Sequence, residues 1–286
     1  MSEIALAQIR PRWRFRQHSA LFGFWPAFGL VMVWVGLLVL LPLTALVVRP
    51  WELGLAGVWD IFTEPRTVAA LKLSFGAAIL AALINAVFGT LVAWAITRYE
   101  FPGRKLLDAL VDLPFALPTA VAGIALAAIY APNGLIGSVF APHDIKLAYT
   151  PVGVLIALVF VGFPFVVRSV QPVLEDLEPE IEEAAASLGV SRLRTLTHVV
   201  LPGLFPAMLT GFSLSLARAV GEYGSVIFIA GNIPFVSEIA PLLIVIRLEE
   251  FDYAGAAAVG LAMLCVSFAT LLALNFAQLK LARIGR

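Results

Sequence analysis

The stretch Glu183-Ala-Ala-x3-Gly189-x9-Val199-x-Leu201-Pro202 is a polar interruption between long apolar runs, and it decides how the chain is organised. Pro179 suits the first position of a helix, where its missing N–H group is not needed. Carboxylates crowd the turn that follows, where the positive end of the helix dipole favours them. Gly189 suits the C′ position just beyond a helix end. We therefore predict a short helix at about 178–190, roughly 15 Å long.

An apolar stripe runs along this predicted helix. Its members at i, i+3, i+4 and i+7 are Ile181, Ala184, Ala185 and Leu188. Because the two alanines are small, the helix could lie deep in a groove of another protein. The pattern also fits an ordinary amphipathic surface helix between two membrane spans, and the stripe alone does not separate the two.

The full spacing through Pro202 resembles the EAA signature of ABC-importer permeases, E-A-A-x3-G-x9-I-x-L-P, with Val199 in place of the isoleucine. In that family the segment is a cytoplasmic coupling helix that docks on a separate ATPase subunit. The resemblance therefore implies a set of ATPase-coupling residues, which are Glu182, Glu183, Ala184, Ala185, Leu188, Gly189, Leu201 and Pro202.

Composition places the whole chain in a membrane. Of its 286 residues, 61% are hydrophobic and 13% are charged, with a mean hydropathy of +0.96, whereas a soluble domain has about 25% charged residues. The apolar runs are far too long for barrel strands, which predicts an all-α polytopic protein. A net charge of zero gives no indication of nucleic acid. The single cysteine, Cys265, is predicted to be a small buried hydrophobe.

Six spans of about 20 residues or more can be placed along the chain. They are predicted at 22–48, 68–97, 109–131, 151–170, 203–230 and 254–281. Residues 1–21 then form an N-terminal arm, and 22–286 form one transmembrane permease domain. The third span contains Pro114 and Pro118 and the fourth contains Pro164, so both are predicted to kink.

The distribution of lysine and arginine predicts the orientation of these spans. The N-terminal arm, the 2–3 loop, the 4–5 loop and the C-terminus together carry thirteen such residues, while the opposite loops carry five. Both termini and the 183–202 segment are therefore predicted to be cytoplasmic. The resemblance to ABC-importer permeases implies that the membrane is a bacterial inner membrane.

The chain has no motif for catalysis. The dipeptide Gly-Lys does not occur, so the chain lacks a P-loop, and any ATPase must be another polypeptide. His18, His143 and His198 are scattered without metal-ligand spacing. We predict a transport subunit that has no catalytic, cofactor-binding or metal-binding residues, with ATP and magnesium bound by partner subunits.

One charged pair lies inside a predicted span. Arg218 and Glu222 stand at i and i+4 in the fifth span and can pair along one helix face. Charges near the bilayer centre are costly, so both should face protein or water. Either the pair only assists assembly, or it lines an anion path. The candidate path residues are Arg218, Glu222, Ser213, Ser215 and Ser225.

The same region narrows the resemblance. Residues 218–234, Arg-Ala-Val-Gly-Glu-Tyr-Gly-Ser-Val-Ile-Phe-Ile-Ala-Gly-Asn-Ile-Pro, resemble a segment shared by sulfate, thiosulfate and molybdate permeases. Residues 246–253, Ile-Arg-Leu-Glu-Glu-Phe-Asp-Tyr, are similar to the T subunit of the sulfate/thiosulfate branch, which pairs with a homologous W subunit. The stretch 112–123, Asp-Leu-Pro-Phe-Ala-Leu-Pro-Thr-Ala-Val-Ala-Gly, is shared with the same group.

This resemblance implies the six-helix, MetI-like fold of ABC-importer permeases. It also implies an assembly of two permease subunits, two cytoplasmic ABC ATPases and a periplasmic sulfate-binding protein, in which this chain forms half of the path for sulfate or thiosulfate. Two alternatives stay open at this stage: a molybdate or tungstate permease that works as a homodimer, and an anion transporter that works without ATP.

Overall fold

The computed structural model describes residues 24–177 and 179–284 of the chain. The predicted arm at 1–21 lies outside these residues. Within them, every regular element is a helix. The described residues divide into two compact units, with the boundary after Ala45, and the second unit contains most of the helices.

The N-terminal unit is continuous apolar helix in its described part. It comprises α1 (Phe24–Val35), the π-helical turn Gly36–Leu40 and the start of α2 (Leu41–Val48). The helical run continues through a 3₁₀ turn (Arg49–Leu53) into α3 (Gly54–Thr63). The first predicted span, 22–48, is therefore helical from residue 24 onward.

Three long helices form the centre of the second unit: α4 (Pro65–Arg98), α9 (Pro151–Asp176) and α12 (Leu201–Val220). α4 presents buried alanines at helical spacing, Ala78, Ala81 and Ala82, to this core. A Cβ atom at Gly89 would lie 2.9 Å from Val166, so the glycine lets α4 approach α9 closely. Small residues are what membrane helices use for close packing, since apolar lipid gives no hydrophobic drive for association.

The third predicted span, 109–131, is more broken than a kinked helix. The structure divides it into α5 (Arg104–Val111), α6 (Leu113–Ala116) and α7 (Thr119–Tyr130). Asp112 ends α5, and Leu117 and Pro118 are extended (ψ 135° and 133°) between α6 and α7. Pro118 disfavours a helical conformation at the residue before it, which accounts for the second break. α9, by contrast, continues as one helix through Pro164 and Pro172.

The fifth predicted span, 203–230, was wrong at its C-terminal end. α12 stops at Val220, and a turn at 221–225 leads into the short helix α13 (Val226–Ile229). The Glu222 carboxylate accepts the main-chain N–H of Ser225 at 2.8 Å, which stabilises the turn instead of a continued helix. Hydropathy did not detect this break because the residues after it are again apolar.

The remaining helices complete the unit. They are α8 (Gly137–Phe140) with a 3₁₀ turn (Ala141–His143), α10 (Pro179–Ser187), α11 (Arg192–Thr195) with a π-helical turn (Leu196–Val200), α14 (Ala240–Glu249) and α15 (Tyr253–Ile284). Among the described residues, five helical stretches are long and apolar enough to cross a membrane. α7, with 12 residues, is the apolar part of the broken third span.

Candidate coupling helix and transport site

The candidate coupling segment folds as a short helix, α10, with a capped C-terminal end. α10 begins at Pro179 and ends at Ser187, close to the predicted 178–190. Gly189 has φ of +75°, so its prediction as a left-handed C′ residue is confirmed. The N–H of Val190 donates to the carbonyl of Ala185 at 3.0 Å, the bond that defines a Schellman end. This glycine is the position where a side chain would strain the backbone.

Apolar side chains of this segment point away from the chain. Leu188 is 82% exposed and Leu193, at the next helix, is 71% exposed. Ala184 and Glu183 are also exposed. The side chains of Ile181 and Glu182 lie outside the described residues. An exposed leucine beside alanine on a short capped helix is the surface that a partner's groove would cover.

A cavity of about 560 Å³ lies behind this segment. Trp94 and Tyr99, at the end of α4, line one side. Glu183 of α10 and Arg192 of α11 line the other. Residues of α10, α11 and the end of α4 therefore meet around one open space.

The end of α12 holds the charged pair that the sequence predicts. Arg218 Nη1 lies 2.5 Å from Glu222 Oε2. The Glu222 side chain is 2% exposed and that of Arg218 is 33% exposed. The other oxygen of Glu222 accepts both the N–H and the hydroxyl of Ser225, at 2.8 and 2.9 Å. Glu222 therefore joins the guanidinium to the turn that ends the helix.

Two glycines bring the family-like stretches 112–123 and 218–234 into direct contact. A Cβ atom at Gly123 of α7 would collide with the carbonyl oxygen of Ser225 and lie 2.8 Å from its Cα. A Cβ atom at Gly224 would collide with Oγ1 of Thr119. The glycines therefore permit α7 to pack on the backbone of the 221–225 turn. Local sequence patterns gave no sign that these two stretches meet.

The predicted path hydroxyls all have partners within the chain. Ser215 is 0% exposed and accepts a hydrogen bond from Asn85 Nδ2 at 3.1 Å, where α4 crosses α12. Ser225 is likewise buried on Glu222. Ser213 is half-buried, donates to the carbonyl of Leu209 at 2.8 Å and accepts from Gln278 at 3.1 Å. Of the two charged candidates, Arg218 has the more exposed side chain.

Sequence reasoning missed three ion-pair groups that link distant parts of the described chain, because it counted their arginines only for orientation. Arg66 binds Glu238 through two bonds of 2.7 and 2.9 Å. Arg247, within the 246–253 stretch, binds Glu64 and, at 2.8 Å, Asp252. The third group is centred on Arg168 and involves Asp108 and Asp112. The only advance signal was the i, i+4 spacing of those two aspartates.

Among the described residues, the long apolar helices are those of a multi-pass membrane protein. Residues 85–283 match the family model of the binding-protein-dependent transport system inner membrane component. The chain belongs to this family. The expectation of a MetI-like, ABC-importer permease fold is thereby confirmed.

Relatives of known role are similar over nearly the whole chain. The sulfate transport system permease protein CysT of Salmonella typhimurium is 50% identical over 264 residues, which is 92% of this chain and 94% of that protein. The protein of the same name from Escherichia coli is 49% identical over the same shares. The one from Synechocystis is 47% identical over 90% of this chain and 91% of its own length.

Solved structures share the fold at low identity. A chain of a bacterial ABC transporter involved in the import of the acidic polysaccharide alginate superposes with a TM-score of 0.73 at 15% identity, covering 90% of this chain and 96% of that one. A chain of the alginate transporter in complex with a pentasaccharide-bound periplasmic protein gives a TM-score of 0.72 at 17% identity, covering 88% and 93%. These two likenesses concern the fold alone.

Proposed function

We propose that this chain is a permease subunit of an ATP-driven importer that moves sulfate or thiosulfate across the bacterial inner membrane. The observation that carries the proposal is the 50% identity, over 92% of the chain, to a sulfate transport permease. The contact between 112–123 and 218–234 supports it, since the two stretches that resemble oxyanion permeases pack together at Gly123 and Gly224, next to the turn that Glu222 holds.

Energetics favour a pump over a passive pore. Moving one charge against 100 mV costs about 2.3 kcal/mol, so bringing a dianion into a negative interior costs roughly 4.6 kcal/mol. This chain has no P-loop, so the energy must come from another polypeptide. The exposed Leu188 on α10 offers the docking surface for it. We propose that Glu182, Glu183, Ala184, Ala185, Leu188, Gly189, Leu201 and Pro202 couple the chain to that ATPase.

The complete transporter in this proposal has five chains. Two cytoplasmic ATPases bind ATP and magnesium, a homologous W-type permease supplies the other half of the path, and a periplasmic sulfate-binding protein delivers the anion. Co-purification from the native membrane, with the partners identified by mass, tests this composition. Recovery of this chain as a homodimer would instead favour the molybdate-type assembly.

Within the path we propose a role for Arg218. Its side chain is 33% exposed, whereas that of its partner Glu222 is buried. An arginine whose charge is balanced by a buried carboxylate attracts an anion less strongly than a free cation does, so the anion can leave again. The hydroxyls of Ser213, Ser215 and Ser225 are bonded inside the chain and would contribute by holding α12 and its turn.

Uptake of radiolabelled sulfate tests the function directly. The chain is expressed with its partner genes in cells that lack their own sulfate permease. We expect uptake that stops on ATP depletion and that excess thiosulfate reduces more than equimolar molybdate does. Uptake that survives ATP depletion would contradict the pump, and stronger competition by molybdate would contradict the proposed substrate.

We propose that both termini and α10 face the cytoplasm. Single cysteines introduced at Arg104 and Ser191, in a background with Cys265→Ala, should resist a membrane-impermeant thiol reagent in intact cells, while a cysteine at Asp144 should react. The same orientation places Glu238 outside, but its side chain is buried on Arg66. The exposed Phe235 therefore replaces it as the second outer position. External labelling at Ser191 would overturn this orientation.

A further inference from the structure

The most completely bonded side chain outside the proposed path is Arg168, toward the C-terminal end of α9. Its Nε and Nη2 bind the two carboxylate oxygens of Asp112 at 2.8 and 2.6 Å. Its Nη1 binds Asp108 at 2.7 Å and Gln171 at 2.5 Å. Nη2 also reaches the main-chain carbonyl of Asp108 at 3.0 Å. All five N–H groups of the guanidinium are thus used.

These bonds join two parts of the chain with different roles. α9 continues through Leu177 to the coupling helix α10. Asp108 lies on α5, and Asp112 stands at the first break of the third span. Arg98 adds a second attachment, since its Nη2 donates to the carbonyl of Leu177 at 2.9 Å and holds the end of α9 against α4. The segment that enters α10 is therefore fixed to both neighbouring spans.

The cavity behind α10 makes this attachment important. Glu183 of α10 lines the cavity of about 560 Å³ together with Trp94 and Tyr99 of the α4 end, so there is open space beside α10. A displacement of α10 passes along the chain into α9 at one end and toward α12 at the other. At the α9 end, Arg98 joins Leu177 to α4, and Arg168 joins α9 to the third span through several bonds.

The breaks in the third span allow its parts to move with such a displacement. Its breaks at Asp112 and at Leu117–Pro118 separate α5 and α6 from α7, so each piece can reorient without bending a continuous helix. α7 in turn touches the 221–225 turn through Gly123 and Ser225. Ser225 is bonded to Glu222, which binds Arg218. A contiguous set of contacts thus runs from the coupling helix to the proposed path.

We propose that Arg168 is a positioning residue that couples movement of the coupling helix to the broken third span and, through it, to the anion path. The proposal rests on the proposed function. A lysine cannot take over this role, because an ammonium has three donors on a flexible stem and cannot bind one carboxylate in two-point fashion while holding a second. Arg168→Lys therefore keeps the charge and removes the geometry.

The test uses the full transporter, with its ATPase and binding-protein partners, in proteoliposomes. The measured quantity is the number of sulfate ions moved per ATP hydrolysed. For Arg168→Lys we expect this ratio to fall at least about fivefold, the lower end of typical coupling between sites, with the ATPase subunits still bound. Arg104→Gln is the matched control, since it removes a cation from α5 for which the described residues provide no ion-pair partner. It should leave the ratio unchanged.

A residue that only stabilises the fold would lower the amount of complex and leave the ratio unchanged, so an unchanged ratio in Arg168→Lys overturns the proposal. If that variant gives no complex, a second pair decides. Asp108→Cys and Arg168→Cys, in a Cys265→Ala background, are joined by a bifunctional thiol reagent. Recovery of the ratio on joining supports a mechanical link, and failure to recover it overturns the link.

The wild-type complex separates this inference from the function on which it rests. Wild-type vesicles that move no sulfate on addition of ATP refute the proposed function itself. Wild-type vesicles that pump, together with an Arg168→Lys complex that pumps at the same ratio, refute only the role of Arg168.

Discussion

The coupling helix α10 and the 221–225 turn are both polar interruptions between apolar helices. They differ in how much of their surface the chain itself covers. α10 leaves Leu188 82% exposed and faces a cavity on its inner side. The turn buries Glu222 and Ser225 and uses their polar groups within the chain. Both carry charge in a similar sequence setting, so composition alone does not distinguish them.

The difference separates a surface that we propose is covered by another protein from one whose polar groups are satisfied within the chain itself. An exposed apolar stripe on a capped helix is removed from water only when a partner docks on it, so its apolar surface stabilises the complex and not the free chain. A buried carboxylate must be satisfied before the membrane helices pack, because an unpaired charge in low dielectric is costly. Substitutions in α10 should therefore affect partner binding and spare the fold, and substitutions in the turn should do the reverse.

Gly189→Val should have the largest effect. A β-branched residue at φ +75° strains the Schellman end whatever space surrounds it. We expect a permease that inserts normally, retains no ATPase subunit on purification and shows no sulfate uptake. Gly103→Val is the matched control, since Gly103 also has positive φ, at +91°, and open space around it. That variant should keep its ATPase, and loss of the ATPase in both would contradict a specific role for α10.

Glu222→Ala should have the next largest effect, and on folding. It leaves the N–H and hydroxyl of Ser225 without their acceptor as well as Arg218 without its counter-charge. Each orphaned buried donor costs about 1–3 kcal/mol. We expect a lower folded amount than for Arg218→Ala, with only partial recovery in the double variant. Glu222→Gln keeps an acceptor for Ser225 and should fold better than Glu222→Ala.

Transport by the same variants separates the two roles of the pair. If Arg218 guides the anion, Arg218→Ala should abolish uptake at a normal folded amount, while Glu222→Gln retains part of it. Detergent-solubilised complex measured by size-exclusion fluorescence gives the folded amount, and uptake is divided by it. Near-normal uptake per folded complex in both variants would leave only the structural role.

What sequence could predict here is local. The Schellman glycine at 189, the start of α10 at Pro179 and the i, i+4 pair of Arg218 and Glu222 all depend on residues a few positions apart. The long spans followed from hydropathy, since a membrane helix needs about 20 apolar residues. The same reasoning misplaced the end of the fifth span, because the Glu222–Ser225 bond breaks the helix without lowering hydropathy.

The contacts that join the spans were beyond such reasoning. Arg168 and Asp112 are 56 positions apart, and Arg66 and Glu238 are 172 apart. Nothing in either local pattern selects one partner over another. Ser215 shows how a missing distant contact can mislead. A hydroxyl in an apolar span suggests a residue of the anion path, but Asn85 on a neighbouring helix donates a hydrogen bond to it.

Gly123→Ala should have a moderate effect on stability. Its methyl group would meet the backbone of Ser225, which cannot move aside as a side chain can. Overpacking of this kind costs about 1–3 kcal/mol. We expect a lower melting temperature of the purified complex, and Gly76→Ala, which has open space, serves as the control. An unchanged melting temperature for Gly123→Ala would show that α7 and the turn are less closely packed than described.

Ser215→Ala should have the smallest effect, and for that reason it sharpens the comparison most. The change removes one acceptor from Asn85 Nδ2, which keeps its second bond, at 3.1 Å, to the carbonyl of Val159. Hydrogen bonds between membrane helices average about 0.6 kcal/mol, which corresponds to a factor of about three. We therefore expect a small drop in melting temperature and sulfate uptake within about threefold of wild type. Asn85→Ala removes both bonds and should lower the melting temperature further without changing the apparent affinity for sulfate. A marked rise in the sulfate concentration needed for half-maximal uptake in Ser215→Ala alone would place this hydroxyl on the path. Its hydrogen bond within the chain would then not be its only role.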